Sequence, residues 1–298
     1  MTLGGPRCSA EALARDEPLY ATASLVSSWL LIEQPGAWGP DALTDSRFPP
    51  PIASELRSRA SGVRILLIRR RTASSDGPIY FKAHSGGGGL TPSLVSAPLP
   101  DPAALLDVDF GALARGDMGP GTTLDHPIFL VCTHGRHDIC CADNGRPLYR
   151  ALSEACPDRA WEVSHIGGDR FSGNLLVLPR GDYFGRLEPE DAEPLVSDYE
   201  QGQLDVAHHR GRSIHPRLIQ AAEHFVRESH GLSGLDDLAV ADYRRFEGDH
   251  AEVVFRGRAG QIRVQVAARR LPEPAYLTCR ADEPGHPVAY DMISITRD

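Results

Sequence analysis

The sequence predicts an α/β protein built from two related halves and closed by a small α+β module. Three observations carry this. A strand–loop–helix–strand order occurs twice, as SSWLLIEQPGAW…PIASELRS…VRILLIRR and as HPIFLVCTHGRH…RPLYRALS…RAWEVSHI, with Glu33 in the place of Cys132. Residues 215–231 form a strong helix pattern, with Pro216 at its start, Leu218, Ala221, Ala222 and Phe225 on one face, and Gly231 to stop it. The segment AEVVFRGRAGQIRVQVAARRL then alternates apolar and polar residues about Arg258, Ala259 and Gly260, a β-hairpin signal. The boundaries that follow are 1–115 for an N-terminal α/β half without metal ligands, 116–205 for the second half and 206–298 for the α+β module. The strand–helix–strand unit of the first half is cysteine-free.

In chain order, residues 1 to about 20 read as an irregular lead-in. The bulky apolar run 27–35 reads as a buried strand closed by Pro35-Gly36. Residues 51–62 read as a helix with prolines at its start and Gly62 at its end. Strands follow at 63–71 and 78–86. The glycine run 86–89 lacks the Lys-Ser/Thr of a phosphate loop and is expected to be a hairpin tip. Residues 90–124, rich in Pro, Gly, Asp and Ala, read as a connector with one short helix near DPAALLDV.

The second half starts with a buried strand at 126–132. An amphipathic helix at 146–156 carries Leu148, Leu152 and Ala155 on one stripe. A strand at 159–165 follows, then a hairpin of 174–179 with 183–187 about Arg180-Gly181-Asp182. The helix 189–202 opens on Pro189 with acids in its first turn, which suits the helix dipole. AYLTCRA and AYDMISI are expected to be two further strands of the terminal module.

Composition narrows the function. A net charge of -9 argues against a general nucleic-acid binder and suits docking to a basic partner. The charged N-terminus lacks the apolar core of a secretory signal, and the apolar runs are too short to span a bilayer. A cytoplasmic protein with no membrane partner is expected, and reduced thiols there point to metal or redox chemistry. Of the six cysteines, Cys8, Cys156 and Cys279 are isolated along the chain and read as small buried apolar residues.

Cys132, Cys140 and Cys141 are clustered, and His165 follows at the end of the next strand. In a β-α-β arrangement the loops after adjacent parallel strands meet, so these groups can converge. Structural zinc takes Cys and His at four tetrahedral positions, but the Cys132–Cys141 spacing is not the short C-x₂₋₄-C knuckle. The C-x-x-C of a thioredoxin dithiol is absent. His134 and His137 read as loop residues or as residues behind the ligands. Arg170 is placed to pair with Asp169 or to offset negative charge at the site.

The pattern C-x-H-x-x-x-D-x-x-C (Cys132, His134, Asp138, Cys141) followed by H-x-G-G-x-x-F-x-x-N (His165, Gly167, Gly168, Phe171, Asn174) resembles the sucrase/ferredoxin-like family. Members of that family are similar to thioredoxin-like [2Fe–2S] ferredoxins. The segment from Tyr183 to Gly202 resembles the closing strand and helix of that fold. The resemblance implies a [2Fe–2S] cluster held by Cys132, Cys141 and His165. The family's fourth ligand, a histidine in H-x-G-G-H, falls on Asp169 here. That departure leaves the fourth ligand open between the Asp169 carboxylate and the Cys140 thiol, with Cys279 a distant third. Either choice implies a potential between all-cysteine and bis-histidine centres. The expected function is one-electron transfer to a reductase or acceptor docked over the 132–141 and 165–170 loops. A zinc-stabilised interaction module is the rival. A sugar hydrolase would need two carboxyls about the scissile bond, and no stretch singles out a pair.

Overall fold

Each central strand is apolar on both faces because each face is covered. The computed structural model describes residues 7–71, 77–257 and 260–297. In the first half, helix α1 (Cys8–Ala14), strand β1 (Ser28–Glu33), helix α2 (Pro50–Arg59), strands β2 (Val63–Arg69), β3 (Ile79–His84) and β4 (Ser93–Pro98), helix α3 (Phe110–Ala114) and the short strand β5 (Thr122–Thr123) follow in order. The second half runs β6 (Ile128–Cys132), α4 (Ile139–Ala155), β7 (Ala160–Val163), β8 (Leu175–Leu178), β9 (Asp182–Phe184), α5 (Ala192–Glu200) and β10 (His209–Arg212). Helix α6 (Arg217–His230) and strands β11 (Leu238–Phe246), β12 (His250–Gly257), β13 (Gly260–Arg270) and β14 (Val288–Arg297) complete the chain.

The first ten strands form one sheet in the order β10-β9-β8-β6-β7-β2-β1-β3-β4-β5. Both halves place their second strand beside their first in parallel, then the third and fourth antiparallel on the other side. The halves join through β2 and β7, antiparallel at Ile68↔Val163 and Arg69↔Glu162, and the Arg69–Glu162 ion pair of 2.8 Å closes that seam. The chain is thus α/β, with a large curled sheet and a smaller second one in the order β11-β12-β13-β14.

Alternation within the strands explains the curl. Leu30 and Ile32 of β1 face a core with α2, Trp38 and Phe110, whereas Phe129 and Val131 of β6 face one with α4 and α5. The intervening residues Trp29, Leu31, Ile128, Leu130 and Cys132 meet in a third core shared by both halves. Successive side chains of a strand point to opposite faces, so a strand covered on both sides reads as a continuous apolar run. A fourth core packs α6 on the smaller sheet. No helix among the described residues is long and apolar enough to cross a membrane.

Several expectations need correction. The lead-in contains α1, whose Cys8 and Ala12 are buried. The 90–124 connector contains β4 and β5, which extend the sheet beyond β3. Their Ser, Thr and Pro residues hide the strand signal, and Leu94 and Val95 alone are buried in β4. AYLTCRA is not a strand, because the Cys279 N–H is committed to the Asp138 carboxylate at 2.7 Å instead of a ladder. Strand β10, which follows the boundary at 206, pairs with β9 on the large sheet. Arg258 and Ala259 of the expected hairpin turn lie outside the described residues, and β12 and β13 pair on either side of them.

Candidate metal centre

Helix α4 starts earlier than its composition suggests. The Asp138 side chain accepts the Cys140 N–H at 2.9 Å and caps the helix, so Cys140 and Cys141 lie in its first turn, not in a loop before Arg146. Gly145 and Pro147 mimic loop residues but serve the helix differently. A Cβ at Gly145 would lie 2.1 Å from the Cys132 carbonyl oxygen, so glycine lets α4 lie directly against the end of β6. Successive helical residues diverge by roughly 100°. Cys140 and Cys141 therefore serve different surroundings.

Cys141 turns toward Cys132 and His165, and a ligand atom of each lies within 4.8 Å of the others. Asp169 opens a 3₁₀ turn (Asp169–Phe171) beside them. Its Oδ1 accepts from Cys141 Sγ at 3.2 Å and sits 3.0 Å from His165 Nδ1. His165 Nδ1 is buried and has no well-aligned hydrogen-bond partner among the described residues. His137 stacks on His165 with ring centroids 3.7 Å apart, its Nε2 4.0 Å from Asp169 Oδ2. His134 stands behind the site. Its Nε2 donates to Gly39 O at 2.7 Å and its Nδ1 accepts the His165 N–H at 3.3 Å, partners that assign a neutral ring.

The loop after β7 is pinned from the far side of the chain. Arg210, fully buried, donates to Gly167 O at 2.9 Å, Asn174 Oδ1 at 2.7 Å and Thr22 O at 2.8 Å. Asn174 Nδ2 donates to Gly168 O at 2.8 Å. Gly168 has φ +82°, and a Cβ there would lie 2.2 Å from Arg210 Nη2, so that position needs glycine twice over. Arg210 escaped the sequence reading because nothing local marks it; Asn174, its partner, is part of the motif. Arg170 does not pair with Asp169. Its Nε donates to the buried Glu17 at 2.5 Å and ties down the lead-in.

The charges at the site offset one another. Contact between the two thiols drives Cys132 well below the ordinary thiol range against the effect of burial, and drives Cys141 well above it with burial adding to the rise. Burial alone would lower His165, but its contacts with Asp169 and Cys132 prevail and hold it at about 9. Burial would raise Asp169, and His165 and Cys141 overcome that to lower it. These shifts favour the charged forms of Cys132, Asp169 and His165 together when no metal is bound, and a cation can replace the protons. Two sulfurs, an imidazole and a carboxylate suit a soft or borderline transition metal.

Of the residues named from sequence, Cys132, Cys141, His165 and Asp169 converge here. Cys140 does not join them: its Sγ lies 3.3 Å from Cys279 Sγ and 3.8 Å from Cys8 Sγ. Cys8 and Cys279 are therefore not isolated apolar residues. Cys156 is buried and donates to Leu152 O at 3.3 Å.

The sequence profile of the sucrase/ferredoxin-like family matches residues 19–212, both halves of the large sheet. The chain is also similar to two proteins named altered inheritance of mitochondria protein 32. That of Eremothecium gossypii is 30% identical over 123 residues, covering 33% of this chain and 39% of its own. That of Debaryomyces hansenii is 28% identical over 81 residues, covering 24% of this chain and 30% of its own. The chain thus spans well under half of the length of these relatives. No solved structure matches it. The chain belongs to the sucrase/ferredoxin-like family.

Proposed function

We propose that Cys132, Cys141, His165 and Asp169 hold a [2Fe–2S] cluster and that the protein carries single electrons. The observation that supports this most is the convergence of two thiols, one imidazole and one carboxylate from the two loops that bear the family's motif. A [2Fe–2S] cluster would supply a one-electron couple. The chain's residues would do the rest. Cys132 and Cys141 give the thiolates from the strand end and the helix start, and His165 and Asp169 give the second pair of ligands. Arg210 and Asn174 hold the loop of that second pair in place.

The His165 side chain is 25% exposed and His137 35%, so the site has an imidazole edge at the surface. Both line a cleft of about 480 Å³ walled by Arg57, Arg64 and Pro40. A reductase or acceptor would dock there, and a histidine ligand with a free ring nitrogen would couple reduction to protonation. We place the protein in a reducing compartment such as the cytoplasm, as its six free thiols suit.

A mononuclear zinc site on the same residues is the second reading. Its support is compactness: separations of 3.2 and 3.0 Å about Asp169 approach the edges of one tetrahedron. A sugar hydrolase has less to stand on, since among the described residues the only carboxylate lining the cleft is Asp41, paired with Arg57 at 2.6 Å, and glycoside hydrolysis takes two. Visible and EPR spectra of anaerobically purified protein decide between the first two readings. A coloured protein with iron and acid-labile sulfide is expected, its spectrum altered in Asp169→Ala and unchanged in Cys140→Ser. A colourless protein with stoichiometric zinc in this site would overturn the cluster.

A further inference from the structure

We propose a second metal site, separate from the first, in which Cys8, Cys140, Cys279 and Asp138 bind one zinc ion as a structural clamp. The three sulfurs come from segments far apart in sequence: the first residue of α1, the first turn of α4 and the loop between β13 and β14. Their separations are 3.3 Å for Cys140–Cys279, 3.4 Å for Cys8–Cys279 and 3.8 Å for Cys8–Cys140. With Zn–S bonds of about 2.3 Å, sulfurs at tetrahedral corners stand about 3.8 Å apart, so the three thiols already occupy nearly the required triangle. None of the three is in a disulfide.

Asp138 completes the set. Its Oδ2 accepts from Thr278 Oγ1 at 2.8 Å and from the Cys279 N–H at 2.7 Å, its Oδ1 accepts the Cys140 N–H at 2.9 Å, and the Cys8 thiol, whose proton a metal would displace, makes long contacts to both oxygens at 3.8 and 4.0 Å. A carboxylate oxygen has two lone-pair positions, so Oδ1 keeps one for a cation. Cys8, Cys140 and Asp138 are each at most 1% exposed, and all four ligand atoms lie within 4.8 Å of one another. On metal binding the two buried thiols and the partly exposed Cys279 would lose their protons, leaving three thiolates beside the carboxylate. A zinc ion would neutralise two of those charges, and a closed set of four protein ligands is the mark of a structural, not catalytic, zinc.

The clamp would fix the turn that carries Cys141. The Asp138 cap and Cys140 are bound to both ends of the chain at this point, so the second site would brace the first without sharing a ligand with it.

Metal analysis of the full-length protein, produced with iron and zinc supplied and purified anaerobically, tests the proposal. The wild type is expected to carry one zinc per chain that Cys8→Ser and the half-exposed Cys279→Ser each remove. Metal bound through Cys132 should stay in both variants. Cys132→Ser should do the reverse, so a failure of the [2Fe–2S] assignment reads separately from a failure of the clamp. Limited proteolysis is expected to cut within residues 271–287 faster in Cys279→Ser than in wild type. Zinc content unchanged in both cysteine variants would overturn the proposal. So would a Cys140–Cys279 disulfide in a non-reducing peptide map of the anaerobic protein.

Discussion

At the end of β6, Cys132 pairs across the sheet with Val163, and His165 follows two residues later; at the end of β1, Glu33 pairs with Ile68, and Arg70 follows two residues later. The same two backbone positions therefore carry Cys/His in one half and Glu/Arg in the other. In the first half the pair is closed. Arg70 donates to both Glu33 oxygens at 2.9 and 3.0 Å, and the Ile79 N–H adds a third bond at 3.0 Å. In the second half the groups meet with lone pairs to spare and a buried Nδ1 without a well-aligned partner. The difference teaches that one scaffold holds either a finished ion pair or a ligand set. Side-chain valence decides which, because a guanidinium–carboxylate pair satisfies itself and a thiol–imidazole pair leaves coordination sites open.

Exchange at these positions gives the largest expected contrast. Cys132→Ser should abolish metal binding at the first site, while Glu33→Gln should leave metal content at the wild-type level, both read by metal analysis and absorption. Equal metal loss in the two variants would erase the distinction between the halves.

Stability should respond in the opposite sense. Arg70→Met leaves the Glu33 carboxylate, only 5% exposed, with a backbone N–H as its remaining partner. Arg70 is itself partly exposed, so the cost should be about 2–4 kcal/mol in urea unfolding, at or below the range for a broken buried pair. Metal content should not change. Part of that cost reflects contact between the halves, since the Arg70 guanidinium lies 4.7 Å from the Trp161 ring centroid.

The smallest effect is a pH dependence of the metal-free protein. Contacts with Asp169 and Cys132, after overcoming burial, raise His165 from its ordinary value to about 9. A histidine raised on folding contributes stability in full below its unfolded pKa of about 6.5 and loses it as pH climbs through the folded value. Asp169, lowered despite burial by His165 and Cys141, sets the acid limit, and its contribution fades below the ordinary carboxylate range. Chelator-treated protein should therefore lose stability between about pH 6.5 and 9, and His165→Gln should flatten that slope. Loss of stability with the same slope in His165→Gln would assign it elsewhere.

Much of this architecture was legible along the chain. β1, β2, β6 and α6 stand out because continuous apolar runs and a sharp amphipathic stripe are local signals, and the repeated order of the halves follows from them. Cys132 and His165 were legible because the loops after adjacent parallel strands meet, whereas the choice of Cys141 over Cys140 came from the family resemblance. Where the sequence misled, a residue had taken an uncommon part: Gly145 and Pro147 inside α4, or the Ser- and Pro-rich strand β4.

Sequence by itself determined the α/β class, the pairing of the halves and three of the four residues that converge at the first site. Tertiary structure decided the rest. It turned Cys141 and Cys140 to different clusters, put Asp169 against Cys141, gave Arg170 to Glu17 and braced the loop with Arg210. It also brought Cys8 to Cys279 across 271 residues. The reason is physical. Local patterning reports which face of an element is apolar, whereas a contact between distant segments depends on how separate elements pack, and no spacing along the chain encodes that.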